Sequence, residues 1–158
     1  VSRGMSGGHT LFPPTEDRSN ESKSRLLEQI TAALGGQAAE DLIFKDISTG
    51  AASDIDVATN IARAMVTQYG MSSLGPISLS PRSMFGAWRG MDEGSEISQK
   101  LADAIDTEIR KIIDNAYKNA QLLLKKHKTK LDAVAKSLLE KETLESDEFE
   151  AIVGNKKS

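Results

Sequence analysis

Asp54 is the acidic residue whose setting bears most directly on chemistry. It stands in Ser48-Thr49-Gly50-Ala51-Ala52-Ser53-Asp54-Ile55-Asp56, where a helical pattern begins behind small residues that let a partner approach. A carboxylate so placed is a candidate metal ligand. Zinc needs three or more convergent donors, however, and spacing alone shows no such cluster in this chain. A structural account competes with it: acids favour the first helical turn, and Ser53 with Asp56 fits the S-x-x-D capping pattern. Glu40, after Gly35-Gly36-Gln37-Ala38-Ala39, has a similar account as a partly exposed helix acid.

The other candidates offer less. His127 lies in Lys125-Lys126-His127-Lys128, a solvated helix end where cations complement the macrodipole. His9 sits beside Gly7-Gly8 on an expected strand, and nothing converges on either imidazole. No G-x-S-x-G turn is present to expose a nucleophile, and Gly4-Met5-Ser6-Gly7-Gly8 lacks the Lys and Ser/Thr of a phosphate loop. The absence of cysteine excludes disulfides and thiolate metal sites within the chain and is compatible with a reducing compartment. With 20 basic and 23 acidic residues the net charge is −3, so no single-sign field argues for nucleic acid or an anionic surface. No apolar run approaches the roughly 20 residues that cross a bilayer.

The elements that must hold these residues read as mainly α. The 158 residues suit one domain, and 39% hydrophobic with only 4% aromatic favours helices built on Leu, Ile and Ala. Residues 1–21 are rich in Gly, Pro and Ser and predict a turn, a short strand through Thr10, Leu11 and Phe12, and an irregular exit at Pro13-Pro14. Because Val1-Ser2-Arg3-Gly4 reads as a strand entering a turn, the chain is expected to be part of something longer. A helix is expected from Ser22 or Ser24, with Leu26, Leu27, Ile30, Leu34, Ala38, Leu42 and Ile43 on its apolar face. Gly35-Gly36 sits inside that pattern at about 1 kcal/mol per glycine. One continuous helix with a close-approach face is the favoured reading, and a stop and restart is the alternative.

A second helix is expected to run to about Tyr69 after a short loop, burying Ile55, Ala58, Ile61, Ala62, Met65 and Val66, with Gly70 as its stop. Residues 71–94, with Trp88, read as a long mobile loop that can include a hairpin. From Ser95 the positions Ile97, Leu101, Ile105, Ile109, Ile112, Ala116, Ala120 and Leu124 predict an amphipathic helix of about 30 residues. A helix through Leu131 to Leu139 and a short one from Leu144 to Val153, opened by Ser146, complete 95–153. Residues 154–158 form a tail.

Longer stretches resemble a known family. Leu34-Gly35-Gly36-Gln37-Ala38-Ala39-Glu40-Asp41 is similar to the G-G-x-x-A-E segment of FtsH proteases. Ser48 to Ile55, followed by Ala58-Thr59-Asn60-Ile61-Ala62-Arg63-Ala64-Met65-Val66, resembles their T-G-A-x-x-D-I-x-x-A-T-x-x-A-R-x-M-V stretch. Arg3-Gly4 and Leu11-Phe12-Pro13-Pro14-Thr15-Glu16-Asp17-Arg18 match the R-G turn and proline exit, and Met71 to Pro76 and Lys141-Glu142-Thr143-Leu144 also fit.

The resemblance implies the C-terminal part of a zinc peptidase domain. In that family two histidines of an H-E-x-x-H helix and one later aspartate hold zinc, and the aspartate position corresponds to Asp54. Such a site leaves the fourth position to water, with the helix glutamate as general base. Glu40 becomes a candidate to orient a ligating imidazole. The strand with Met5, Gly7, Gly8, His9, Thr10 and Leu11 resembles an edge that binds substrate by strand addition. The Gly35-Gly36 face would receive the H-E-x-x-H helix.

This chain departs from the family in containing no H-E-x-x-H, ATP-binding module or membrane anchor, all of which lie upstream in the family. The resemblance therefore implies a piece that is soluble and inactive alone. The intact protein would be a membrane-anchored, cytoplasm-facing homo-hexamer that uses ATP with Mg to degrade unfolded or membrane proteins. The alternative is a non-catalytic helical scaffold, or a degenerate homologue that assembles with active subunits. An unrelated helical adaptor would require the Thr49 to Val66 match to be coincidence.

Overall fold

The structure is a computed structural model that describes residues 20–77, 79 and 99–154. The expected N-terminal strand, and most of the 71–94 loop with Trp88, fall outside the described residues. Among the described residues the chain is helical, as expected.

Helix α1 (Lys23–Ala33) starts where Ser22, in extended backbone, accepts the Arg25 N–H on its hydroxyl at 3.3 Å. That bond satisfies one of the N–H groups a helix start leaves free. Leu26 and Ile30, one turn apart, are its buried face. Helix α2 (Gly35–Phe44) follows after a single residue, Leu34, with φ −76° and ψ −3°. The alternative of a stop and restart therefore replaces the continuous helix. The ladder is kept across the joint: the Leu34 N–H donates to Ile30 at 3.1 Å and the Ala38 N–H to Leu34 at 3.0 Å. Leu34 is itself buried in the core, so the bend is held by its side chain. Gly35 and Gly36 thereby open a helix, where glycine is tolerated better than in an interior.

Helix α2 ends at Lys45, whose φ of 55° is left-handed. Ser48 returns to extended backbone, a 3-10 turn spans Thr49–Ala51, and helix α3 (Ala52–Thr67) continues directly from it. Ala58, Ala62, Met65 and Val66 are the buried stripe of α3. The helix ends at Thr67 with Gln68 as its cap, short of the expected Tyr69, and the expected stop residue Gly70 follows with φ +61°. A Cβ there would lie 2.7 Å from the Pro76 Cα, so only glycine fits. The chain beyond folds back on α3, with the Met71 N–H bonded to Met65 and the Leu79 N–H to Thr67.

Helix α4 (Gln99–Lys126) has 28 residues, about 42 Å. Its Ile105, Ile109 and Ala116 join Leu26, Ile30 and Leu34 of the α1 end and Ala58, Ala62, Met65 and Val66 of α3 in one core. The alanines at these contacts let helix backbones approach closely, while Ile30, Met65 and Val66 supply the largest fully buried volumes. These contacts belong to the compact unit of residues 18–121.

Residues 122–158 belong to a second unit. There α5 (Lys128–Lys141) ends at Glu142, φ 62°, and α6 (Ser146–Val153) opens on a reciprocal capping box between Glu145 and Glu148. The N-cap is thus Glu145, one residue before the expected Ser146. Neither helix fully buries a side chain. They are tied by a Lys141–Glu148 ion pair and a bond from the Lys130 ammonium to the Val153 carbonyl.

Candidate functional site

Two of the described candidates, Asp54 and Glu40, belong to the region where α2 lies beside the segment leading into α3. Asp54 lies in the first turn of α3, on the solvent side. Across from it is Gly36: a Cβ built on that glycine would sit 3.9 Å from Asp54 Oδ2. The stop and restart at Leu34 thus brings the bare backbone of α2 beside the carboxylate. Among the described residues, no hydrogen bond is donated to that carboxylate. An exposed, uncommitted carboxylate is free to take a cation.

The expected Ser53–Asp56 capping box does not form. The 3-10 turn winds into α3 before Ser53, and the Ala52 N–H is satisfied by the Thr49 carbonyl. Both residues therefore lie inside the helix. Capping passes to Ser48, whose hydroxyl accepts the Gly50 N–H at 3.2 Å.

Glu40, one helical turn after Gly36 and on the same face, grips that same residue. Its Oε2 accepts the Ser48 N–H at 2.9 Å and its Oε1 accepts the Ser48 hydroxyl at 2.8 Å. The backbone N–H, and then the hydroxyl, hold the Glu40 carboxyl below the usual glutamate range. Asp41, its neighbour, turns to α4 instead and accepts from the Tyr117 hydroxyl and the Gln121 amide.

Ser48 is the residue that sequence reasoning did not assign to the site, whereas the Gly35-Gly36 face was expected to take part in it. Glu40 and Ser48 are eight apart, across a left-handed Lys45, so no helical period links them. His127 is exposed at the joint between α4 and α5, as expected of a solvated end. His9 and the edge-strand candidates Met5, Gly7, Gly8, Thr10 and Leu11 lie outside the described residues. No group of three or more His, Cys, Asp or Glu among the described residues could hold a metal, so a metal at Asp54 would need donors from elsewhere. No helix among them is long and apolar enough to cross a membrane.

Residues 1–152 match the family described as Peptidase family M41. The chain is 48% identical over 155 residues to ATP-dependent zinc metalloprotease FtsH 1 of Thermoanaerobacter sp. (strain X514), covering 96% of the chain and 25% of that protein. It is 46% identical over 154 residues to the protein of the same name from Sphaerobacter thermophilus, at 96% and 24% coverage. It is 45% identical over 155 residues to ATP-dependent zinc metalloprotease FtsH of Caldicellulosiruptor bescii, at 97% and 25% coverage. The chain spans about a quarter of the length of these curated relatives.

Proposed function

The chain belongs to peptidase family M41, and from that premise we propose that it supplies the third zinc ligand, Asp54, to the peptidase site of a longer ATP-dependent metalloprotease. The observation that carries this reading is the Asp54 carboxylate, exposed at a helix start, free of hydrogen bonds from the described residues and set beside the bare backbone of Gly36. One oxygen donor of this kind fits zinc, which accepts carboxylates together with imidazoles. The other two ligands are histidines of an H-E-x-x-H helix that this chain does not contain.

Zinc, when bound, supplies a Lewis acid that polarises a peptide carbonyl and acidifies water. The chain's own residues do three things. Asp54 offers a negatively charged oxygen and lowers the net charge of the dication. Gly36 leaves the space beside that oxygen open. The helix α3 N-terminus fixes the carboxylate's direction, since its first turn is continuous with the 3-10 turn. Exposed Phe44, Ile47 and Val57 flank the site in sequence and suit cover by the histidine helix. The stretch from Met5 to Leu11 is read as the edge that takes an extended substrate by strand addition.

The intact protein is then a membrane-anchored, cytoplasm-facing hexamer that uses ATP, with Mg, to feed unfolded or membrane proteins to the zinc site. The chain alone, lacking the histidines and the base, is inert. The test measures zinc content and casein proteolysis of the full-length protein with and without Asp54→Ala. Loss of zinc together with proteolysis is expected, and retention of both would reduce Asp54 to a helix-start acid.

A further inference from the structure

Helix α2 carries Gly36 and Glu40 one turn apart, so both face the same way. That face meets two points of the segment that delivers Asp54: Gly36 lies beside the Asp54 carboxylate, and Glu40 holds Ser48, six residues earlier. Between these points the backbone has little freedom. The Ser48 hydroxyl takes the Gly50 N–H, the Ala52 N–H bonds to Thr49, and the 3-10 turn then becomes α3 without a break. Fixing Ser48 therefore fixes where the first turn of α3 begins.

We infer that Glu40 is the positioning residue for Asp54, acting through its two hydrogen bonds to Ser48 rather than through a ligating imidazole. The inference rests on the reading of Asp54 as a metal ligand. A carboxylate suits the task because two donors of one residue, an N–H and an O–H, point at its two oxygens. The Ser48 hydroxyl donates its O–H to Glu40 and still has lone pairs with which to accept the Gly50 N–H. The three residues thus form one directional chain, from Glu40 through Ser48 to the turn. Glycine at position 36 leaves the space beside Asp54 Oδ2 open, since even a Cβ there would lie 3.9 Å from that oxygen.

The experiment titrates zinc against a competing chelator in the full-length protein and follows amide exchange at Ser48 and Gly50. Glu40→Ala is expected to weaken zinc about tenfold, the scale at which groups supporting metal ligands act, and to speed Ser48 exchange by a similar factor. Glu40→Gln, which keeps an acceptor for the Ser48 N–H, recovers most of the affinity. Ser48→Ala weakens zinc in the same direction, and the Glu40→Ala/Ser48→Ala pair is no weaker than Glu40→Ala alone within about twofold, because both act on one path. Losses that multiply in the double variant, or zinc affinity unchanged by Glu40→Ala, overturn the positioning role. Asp54→Ala is measured alongside. If it alone weakens zinc, the ligand reading stands and the positioning role falls; if it leaves zinc unchanged, the ligand reading falls and takes this inference with it.

Discussion

The Tyr117 hydroxyl donates to Asp41 Oδ2 at 3.3 Å, and the Gln121 amide donates to the same oxygen at 2.8 Å, so α4 is fastened to the helix that carries Gly36 and Glu40. Adjacent acids on α2 thus divide the work. Glu40 looks to the turn before α3, and Asp41 looks to α4. Burial, and then the Asp41 charge, push the Tyr117 phenol above its ordinary value.

Replacing Asp41 by Ala removes both bonds and leaves two half-buried donors without their partner. The expected loss is about 1 kcal/mol, or roughly 4 °C in the thermal midpoint of a domain this size. Calorimetry checks the midpoint, and an ultraviolet titration of the phenol checks the cause. Because the folded phenol is raised, its contribution to stability is present below about pH 10 and lost as pH rises through the folded value. In Asp41→Asn the phenol should titrate lower than in the parent. An unchanged phenol would mean that burial alone sets it.

Glu108 fastens the turn that follows α3. Its Oε2 accepts the Ser73 N–H at 3.0 Å, and that bond, with the Ser73 hydroxyl and Lys111 adding to it, holds the Glu108 carboxyl below the usual glutamate range. A depressed carboxyl stabilises the fold above its unfolded value, about 4.3, and ceases to do so as pH falls through the folded value. The difference in thermal midpoint between the parent and Glu108→Gln should be full at pH 6 and shrink below pH 4. A difference independent of pH would sink this account.

How much of this was legible in the sequence follows from the range of the forces. The apolar stripes of α1, α3 and α4 were readable because burial repeats with the helical period, and Ile30, Ala58, Ala62, Met65, Ile105 and Ile109 all lie where that period puts them. Gly70 was readable because a left-handed stop favours glycine. The bend at Leu34 was not, since the alanines around Gly35-Gly36 are compatible with a helix that continues and only tertiary burial of Leu34 decides otherwise. Nor was the Glu40–Ser48 bond. It spans a loop whose left-handed residue is Lys45, where no glycine or asparagine announces the reversal. The Ser53–Asp56 pattern misled because a 3-10 turn moved the helix start upstream.

The core makes a quantitative expectation. Met65 is fully buried among Leu26, Ile30 and the α4 isoleucines, so Met65→Ala leaves a cavity and should cost about 2–5 kcal/mol. Ala62, equally buried, has no room to grow, and Ala62→Leu should cost about 1–3 kcal/mol by overpacking. Urea unfolding measures both. A neutral Ala62→Leu would show that the helices can part at that contact.

Two left-handed positions predict opposite signs for one exchange. Glu142 closes α5 at φ 62° with a Cβ that this backbone disfavours, whereas Gly70 holds φ 61° with a neighbouring backbone in the way. Glu142→Gly removes the Cβ penalty, about 1 kcal/mol in size, although glycine also loses more chain entropy on folding. A net gain of roughly 0.5 kcal/mol is expected. Gly70→Ala adds the same penalty and forces the Pro76 Cα to move from a 2.7 Å encounter, so a loss of at least about 2 kcal/mol is expected. Since Glu142 and Gly70 lie in different units, the two changes should add within about 0.5 kcal/mol in the double variant. Chemical denaturation of the four proteins reads all three quantities. A stabilising Gly70→Ala, or a Glu142→Gly that destabilises, would contradict the backbone conformations on which this prediction stands.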